Sequence, residues 1–526
     1  MLSGLLLWAA FPALDWAVLG WVALTPLFYL MLTRSLWEST LFGFVAGLVF
    51  FAGMLYYIGQ FGPIPWLALS AFEALFFAVA AAFGCVVGQR APQPARPLAL
   101  AATWLLTMYL RGHVGPLSLP LGDLGYTQHA TPAVVQLAAV FGIHGVTFLL
   151  AAVNAAWAEG LSSPWPMSPG RWRAVVGIAA VALAVVVLGH VRYARLAGQL
   201  PSEGEGVRVA AVQAAEWPPS YIEPGFVRRT VREYRRLSLP VRADLIVWPE
   251  TAMLADPADY PDVQRRVEDT ARRTGAWLLY GNAPLTNAER RNAATLLDPQ
   301  GHKRAEYSKV HLVIFGEYVP YRERFRFIER FPVRETDFAP GEGFTVMQAG
   351  QLRFSPLICF ESLFPEYSRK CVKMGAEAIV IITSDAWAGR SAELEQHAAC
   401  SVFRAVETGR YVVRAATTGI TMIVGPNGHI VAEVPAYRPG VAAASVRPIT
   451  NRTPYVRWGD WPVVMVWVGG VGWAVVGGRA LTPGPSPVRT QTSAAAGEGN
   501  GRVVCRRAGE GNGRVVCRPA EEGTEG

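Results

Sequence analysis

Residues 1–190 carry almost no charge, and that constrains the chain more than any other feature. Apolar stretches follow one another at roughly 2–14, 16–32, 40–58, 64–88, 97–116, 133–158 and 174–191. Most come near the ~20 residues a helix needs to cross the hydrocarbon core of a bilayer. With 52% hydrophobic and 17% charged residues, the chain is too apolar for a soluble enzyme of 526 residues. We therefore expect a multi-pass α-helical membrane bundle of about seven spans over residues 1–195. The first stretch is as short as a signal-peptide core, but it lacks a basic leader and further spans follow at once. Arg111 stands where the fifth run stops and is expected to snorkel from the membrane edge. His144 and Asn154, in the sixth, should be satisfied inside the bundle.

The loops predict an orientation. Arg34, then Arg90 and Arg96, then Arg171 and Arg173 fall in alternate loops. Basic loops stay in the cytoplasm. The segment after Val191 then emerges on the far side of the membrane from the cytoplasm, although Arg192 and Arg195 run against the rule.

Residues 205–447 have a different texture. VRVAAVQ (207–213), LIVWPE (245–250), WLLYGN (277–282), AATLLD (293–298), AIVIITSD (378–385) and RYVVRAA (410–416) read as strands. Residues 221–237, 263–274 and 393–408 read as helices between them. TMIVGPNGHIVAEV is a hairpin turning at Pro426-Asn427-Gly428. This alternation predicts a layered α/β domain. A last apolar run, within 460–478, has Trp461 before it and Arg479 after it, as a C-terminal span would. Residues 479–526 repeat GEGNGRVVCR at 497–506 and 509–518 and have few large apolar residues, so no folded core is expected there.

The net charge of +8 raises nucleic acid as a partner. Zinc-finger spacing, an RNA-binding aromatic signature and a basic helix are all missing, so no nucleic-acid partner is expected. The six cysteines have neither CxxC nor Cys/His metal spacing.

Three stretches carry chemistry. In LRFSPLICFESLFPEYSR (352–369) a buried strand ends at Cys359, and Glu361, Ser362 and Pro365 offer helix-start chemistry. A helix N-terminus there would favour thiolate. A lone cysteine in such a place is more often a packing residue; the other two stretches decide otherwise. In DLIVWPET (244–251), Glu250 follows a short strand. In AEYSKVHLVIFGEYVPY (305–321), Lys309 lies in a strand-like run and Glu317 in a turn. A carboxylate, an ammonium and a thiol at strand ends of one α/β domain can converge. The acid takes the thiol proton, and the lysine stabilises thiolate and oxyanion. Glu317 is a candidate partner for Lys309. Glu361 is either a supporting acid or a plain helix-start acid.

Glu250 in WPET, Lys309 in YSKVHLVIFGEYVP and Cys359 in LICFES together resemble the Glu–Lys–Cys triad of the nitrilase-like carbon–nitrogen hydrolases. With SDAW (384–387), GITMIVGPNG (419–428) and TPYVRWGDWP (453–462), the chain is similar over roughly residues 1–478 to their membrane-bound branch, the apolipoprotein N-acyltransferases. That resemblance implies an α-β-β-α sandwich for 205–447. It implies transfer of a fatty acyl chain from a phospholipid, through a Cys359 thioester, to the N-terminal diacylglyceryl-cysteine amine of an apolipoprotein. No metal or dissociable cofactor is implied. Two positions depart from the family pattern: Phe360 stands where a tyrosine is usual, and SDAW where NDAW is. A membrane-anchored amidase or nitrilase-type hydrolase with the same triad, and a catalytically silent lipoprotein-binding scaffold, are the alternatives. Acyl release to water would mark the first, and failure to form an acyl-enzyme the second.

Overall fold

The charge-poor N-terminal region folds as helices. The computed structural model describes the whole chain except residues 13, 116, 164–165, 202–204, 217–223, 251, 254, 287–288, 321–336, 467, 470–502, 508–514 and 520–526. Pro63 and Pro169 open the two longest helices, Pro63–Arg90 and Pro169–Ala197, where a missing N–H is no loss. Ser35 and Glu38 form a capping box at the start of Leu36–Met54. These three helices and Ala138–Ser162 are long and apolar enough to cross a membrane. The seven expected spans thus become four helices of spanning character among the described residues. Leu2–Ala10 and Thr25–Thr33 have nine residues each, about 14 Å of helix against a core of ~30 Å. Arg96–His113 is 18 residues long but carries Arg96, Arg111 and His113.

Arg111 does not snorkel. It is fully buried and donates to Glu73 Oε2 at 3.0 Å and to the Leu119 carbonyl at 2.7 Å. An acid buried in a neighbouring span needs a cation, and that outweighs the pull of the interface. Asn154 is satisfied as expected: it accepts from Leu24 N and Thr25 N and donates to the Gly20 and Leu150 carbonyls. His144 is not hydrogen-bonded among the described residues; it faces Asp460 at 3.8 Å and the Tyr109 and His113 rings.

Two six-stranded sheets follow. The first has the order Gly440–Val446, Val207–Gln213, Leu245–Val247, Trp277–Asn282, Ala293–Leu297, Lys303–Ser308. The second has the order Ile430–Val434, Thr421–Val424, Tyr411–Ala416, Ala378–Thr383, Leu352–Ile358, Met347–Ala349. Side chains alternate between faces. Val380 and Ile382 point to the other sheet, into a core shared with Val209, Val247 and Leu279. Ile379 and Ile381 point outward, into a core that continues through Phe403 and Val406 to Leu150 and Ala155 of the membrane helices. On the far side, helices Pro224–Ser238 and Pro261–Thr274 cover the first sheet through Val231, Tyr234, Val263 and Val267. The layers are α-β-β-α, with the bundle packed on one helical layer.

Met1–Gly472 forms one compact unit. Residues 461–466 and 468–469 are helical; the rest of the span expected at 460–478 lies outside the described residues. In the tail, where no fold is expected, Val503–Arg507 and Val515–Pro519 pair antiparallel, one strand from each repeat. The two copies share Val-Val-Cys-Arg, and its β-branched pair has strand propensity.

Candidate active site

Leu352–Ile358 runs parallel to Ala378–Thr383, with Ile358 beside Ile382. Both strands therefore end at one edge, and Cys359 and Ser384 leave it together. Cys359 is buried and has a positive φ of 52°, an unusual conformation for a residue with a side chain. It opens a five-residue 3-10 turn, Cys359–Leu363; the α-helix Pro365–Lys373 starts only six residues later. The expected thiolate-favouring helix end is thus too far along. Burial, and then the charge of Glu250, push the Cys359 thiol well above its ordinary pKa; Lys309 pulls the other way.

Glu250 lies three residues past the Leu245–Val247 strand, and a Cβ on Gly281 of the next strand would collide with its carbonyl. Ser384 N donates to Glu250 Oε2 at 2.7 Å. Lys309 follows the Lys303–Ser308 strand directly and is almost fully buried. Its Nζ is 2.9 Å from Glu317 Oε2 and 3.7 Å from Glu250 Oε1. Burial alone would lower the lysine pKa, but Glu317 and Glu250 outweigh it and hold it raised. Burial, helped by Glu317, raises Glu250 despite Lys309. Glu317 is also pushed up by burial, yet Lys309 and the Val313 N–H at 2.7 Å leave it lowered overall. Burial and the lysine act oppositely on the two acids, leaving Glu250 raised and Glu317 lowered.

The N-terminal helices match the model of the apolipoprotein N-acyltransferase N-terminal domain over residues 3–156, and residues 208–452 match that of the carbon-nitrogen hydrolases. The apolipoprotein N-acyltransferase of Geobacter metallireducens is 32% identical over 510 residues, 91% of this chain and 94% of the relative. The chain belongs to the apolipoprotein N-acyltransferase family. A second relative of that name, from Methylococcus capsulatus, is 31% identical over 499 residues, 89% of this chain and 94% of its own.

Within that family framework, the geometry adds residues that the motifs do not reveal. Asn292 gives both amide hydrogens to the acids: Nδ2 is 2.7 Å from Glu250 Oε1 and 2.6 Å from Glu317 Oε1. Its carbonyl accepts Lys309 N at 2.8 Å, which closes the ladder between the two strands that carry them. The only sequence signal is a polar residue just before the apolar run Ala293–Leu297. Behind Cys359, His397 Nδ1 meets Asp385 Oδ1 at 3.0 Å, and its Nε2 lies 2.9 Å from Ser362 Oγ and 3.3 Å from the Cys359 carbonyl.

Glu361 is a clasp. Oε1 accepts from Tyr307 OH, Val310 N and His311 N, and Oε2 from Ile358 N. It joins the Lys309 loop to the Cys359 turn. Phe360 packs its ring on His311 and Phe364, an apolar wall that needs no hydroxyl. The change at Ser384 leaves the contact to Glu250 intact, because that contact is made by the backbone. Asp385, Glu393 and His397 bring ligand atoms within 4.8 Å of one another, but Arg414 already sits 2.7 Å from Asp385 Oδ2 and opposes a cation. Thr251 of WPET and Tyr321 lie outside the described residues.

Proposed function

We propose that this chain is an N-acyltransferase of lipoprotein maturation that moves a fatty acyl chain from a phospholipid, through a thioester on Cys359, to the N-terminal diacylglyceryl-cysteine amine of an apolipoprotein. Family membership supports the general activity. The observation that carries the mechanism is the convergence of Glu250 and Lys309, the lysine held by Glu317, near the buried Cys359 thiol. Glu250 takes the thiol proton as sulfur attacks the ester carbonyl. Lys309, held by Glu317, stabilises the oxyanion. The tetrahedral intermediate collapses, the ester C–O bond breaks, and the lyso-phospholipid alkoxide takes the proton back from Glu250. The acceptor amine then attacks the thioester carbonyl; the C–N bond forms, the C–S bond breaks, and Glu250 takes the amine's proton and passes it to the leaving thiolate, restoring the thiol. Glu361 keeps the two loops in register.

The helices fit this chemistry. Among the described residues four helices have spanning character, and one of them, Ala138–Ser162, packs against the catalytic domain through helix Glu393–Thr408, so a bilayer-resident donor can arrive by lateral diffusion. We place the protein in the bacterial cytoplasmic membrane with residues 205–447 on the outer face, following the arginine-bearing loops. Our domain division is 1–195 for the membrane bundle, 205–447 for the catalytic domain, 460–478 for a C-terminal span and 479–526 for the tail.

The test is to mix enzyme and phospholipid without lipoprotein and count lyso-phospholipid per enzyme. One equivalent should appear in a burst, with an acyl mass on Cys359, and turnover should resume on adding an amine acceptor. Lys309→Ala should slow both halves by about 10²- to 10³-fold. Steady release of free fatty acid would make water the acceptor and replace this reading with a hydrolase.

A further inference from the structure

Cys359 adopts a left-handed backbone conformation at the mouth of a short 3-10 turn. Such a conformation persists only where the surroundings over-determine it. Part of the surroundings is a buried ion pair on helix Glu393–Thr408. Arg404 and Glu407 are both fully buried and joined by a fork, Nε to Oε2 at 2.7 Å and one terminal nitrogen to Oε1 at 3.0 Å. The other terminal nitrogen of Arg404 donates to the Leu363 carbonyl at 2.9 Å and reaches the Ser362 carbonyl at 3.4 Å. Those are the closing carbonyls of the Cys359 turn. Ser362 Oγ in turn donates to the Cys359 carbonyl at 2.8 Å.

The pair also reaches into the membrane bundle. The Ala138–Ser162 helix is broken at Gly142, with φ 65° and ψ −175°. Glu407 Oε1 accepts the Ile143 N–H just after that break, at 2.9 Å. Tyr455 covers the break so closely that a Cβ on Gly142 would lie 2.6 Å from its ring. Both ends of the pair therefore satisfy backbone groups that regular structure leaves open, one in a membrane span and one in the turn bearing the thiol.

Stability is a poor explanation for this arrangement. A buried ion pair is often replaced by apolar residues of similar size with little loss. We propose that Arg404, clamped by Glu407 to the kink of the Ala138–Ser162 span, is a positioning residue that holds the Cys359 turn in its reactive conformation, so that acyl transfer depends on a membrane helix as well as on the site. The inference rests on Cys359 being the acylated thiol.

The experiment uses the full chain with vesicles of equal parts phosphatidylethanolamine and phosphatidylglycerol. Acyl-Cys359 formation is followed by intact mass over a range of lipid concentrations, per folded enzyme. The double variant R404M/E407L removes both charges together; Arg404→Lys keeps the charge but not the fork. The double variant should form acyl-enzyme on the order of 10²-fold more slowly with the half-saturating lipid concentration unchanged. Arg404→Lys should lie between, about tenfold down. Wild-type rates in the double variant would overturn the proposal, and so would a loss confined to the half-saturating concentration. If the double variant fails to fold, Arg404→Lys decides alone: a wild-type rate overturns, a slower rate at unchanged half-saturation supports. Acylation persisting in Cys359→Ser would instead remove the reading beneath it, and that outcome is separately visible.

Discussion

Replacing Asn292 with alanine removes one side chain that touches no substrate in the proposed mechanism and yet should change its pH dependence. The amide donates to Glu250 Oε1 at 2.7 Å and to Glu317 Oε1 at 2.6 Å. Both bonds favour the ionised acids. Glu317 keeps Lys309 at 2.9 Å and Val313 N at 2.7 Å, so it stays ionised. Glu250 keeps only Ser384 N at 2.7 Å and a lysine 3.7 Å away, and burial already raises its pKa. A hydrogen bond to a charged group is worth about 1.5–3 kcal/mol. Its loss should raise the Glu250 pKa further. The base works deprotonated, so the sign is fixed: activity fades as pH falls through the Glu250 pKa, and the variant should lose activity at a higher pH than the parent. The assay is the burst rate of lyso-phospholipid release against pH, with Glu250→Gln as the control that removes this limb. A variant with a normal burst rate and an unmoved acid limb would refute the role assigned to Glu250.

Cys359→Ser should abolish the acyl-enzyme, since an alkoxide is far harder to form than a thiolate; Cys371→Ser and Cys400→Ser should keep it, as read by intact mass. Gly281→Ala should push the Glu250 backbone out of place, because the new Cβ meets its carbonyl; a fall of about 10²-fold in burst rate is expected, and a rate near the parent's would mean that Glu250 tolerates displacement. A cysteine engineered at the exposed Glu289 should react with a membrane-impermeant maleimide in intact cells; labelling only after lysis would put residues 205–447 on the cytoplasmic side.

Sequence alone determined the two-part architecture, because local pattern encodes it. Uncharged runs near 20 residues long fit helices that cross lipid, and alternating strands and helices of Val207–Val446 declare a layered domain. Helix Glu393–Thr408 is found at its expected ends, with Gly409 as the left-handed cap that stops it. The motifs likewise put Glu250, Lys309 and Cys359 at strand ends. Tertiary structure decided everything that depends on who meets whom. Arg111 looked like an interfacial arginine until Glu73, 38 residues earlier in the chain, proved to be its partner. Of seven apolar stretches, four helices among the described residues are long and apolar enough to span, since hydropathy says nothing of where a helix breaks. The thiolate expected from a helix N-terminus gave way to a raised thiol, because the turn after Cys359 is too short to supply the dipole and burial dominates. Asn292, Arg404 and Glu407 carry no motif. Their parts follow from distances between segments far apart in sequence, such as Glu407 to Ile143, 264 positions away, and such distances exist only once the chain has folded.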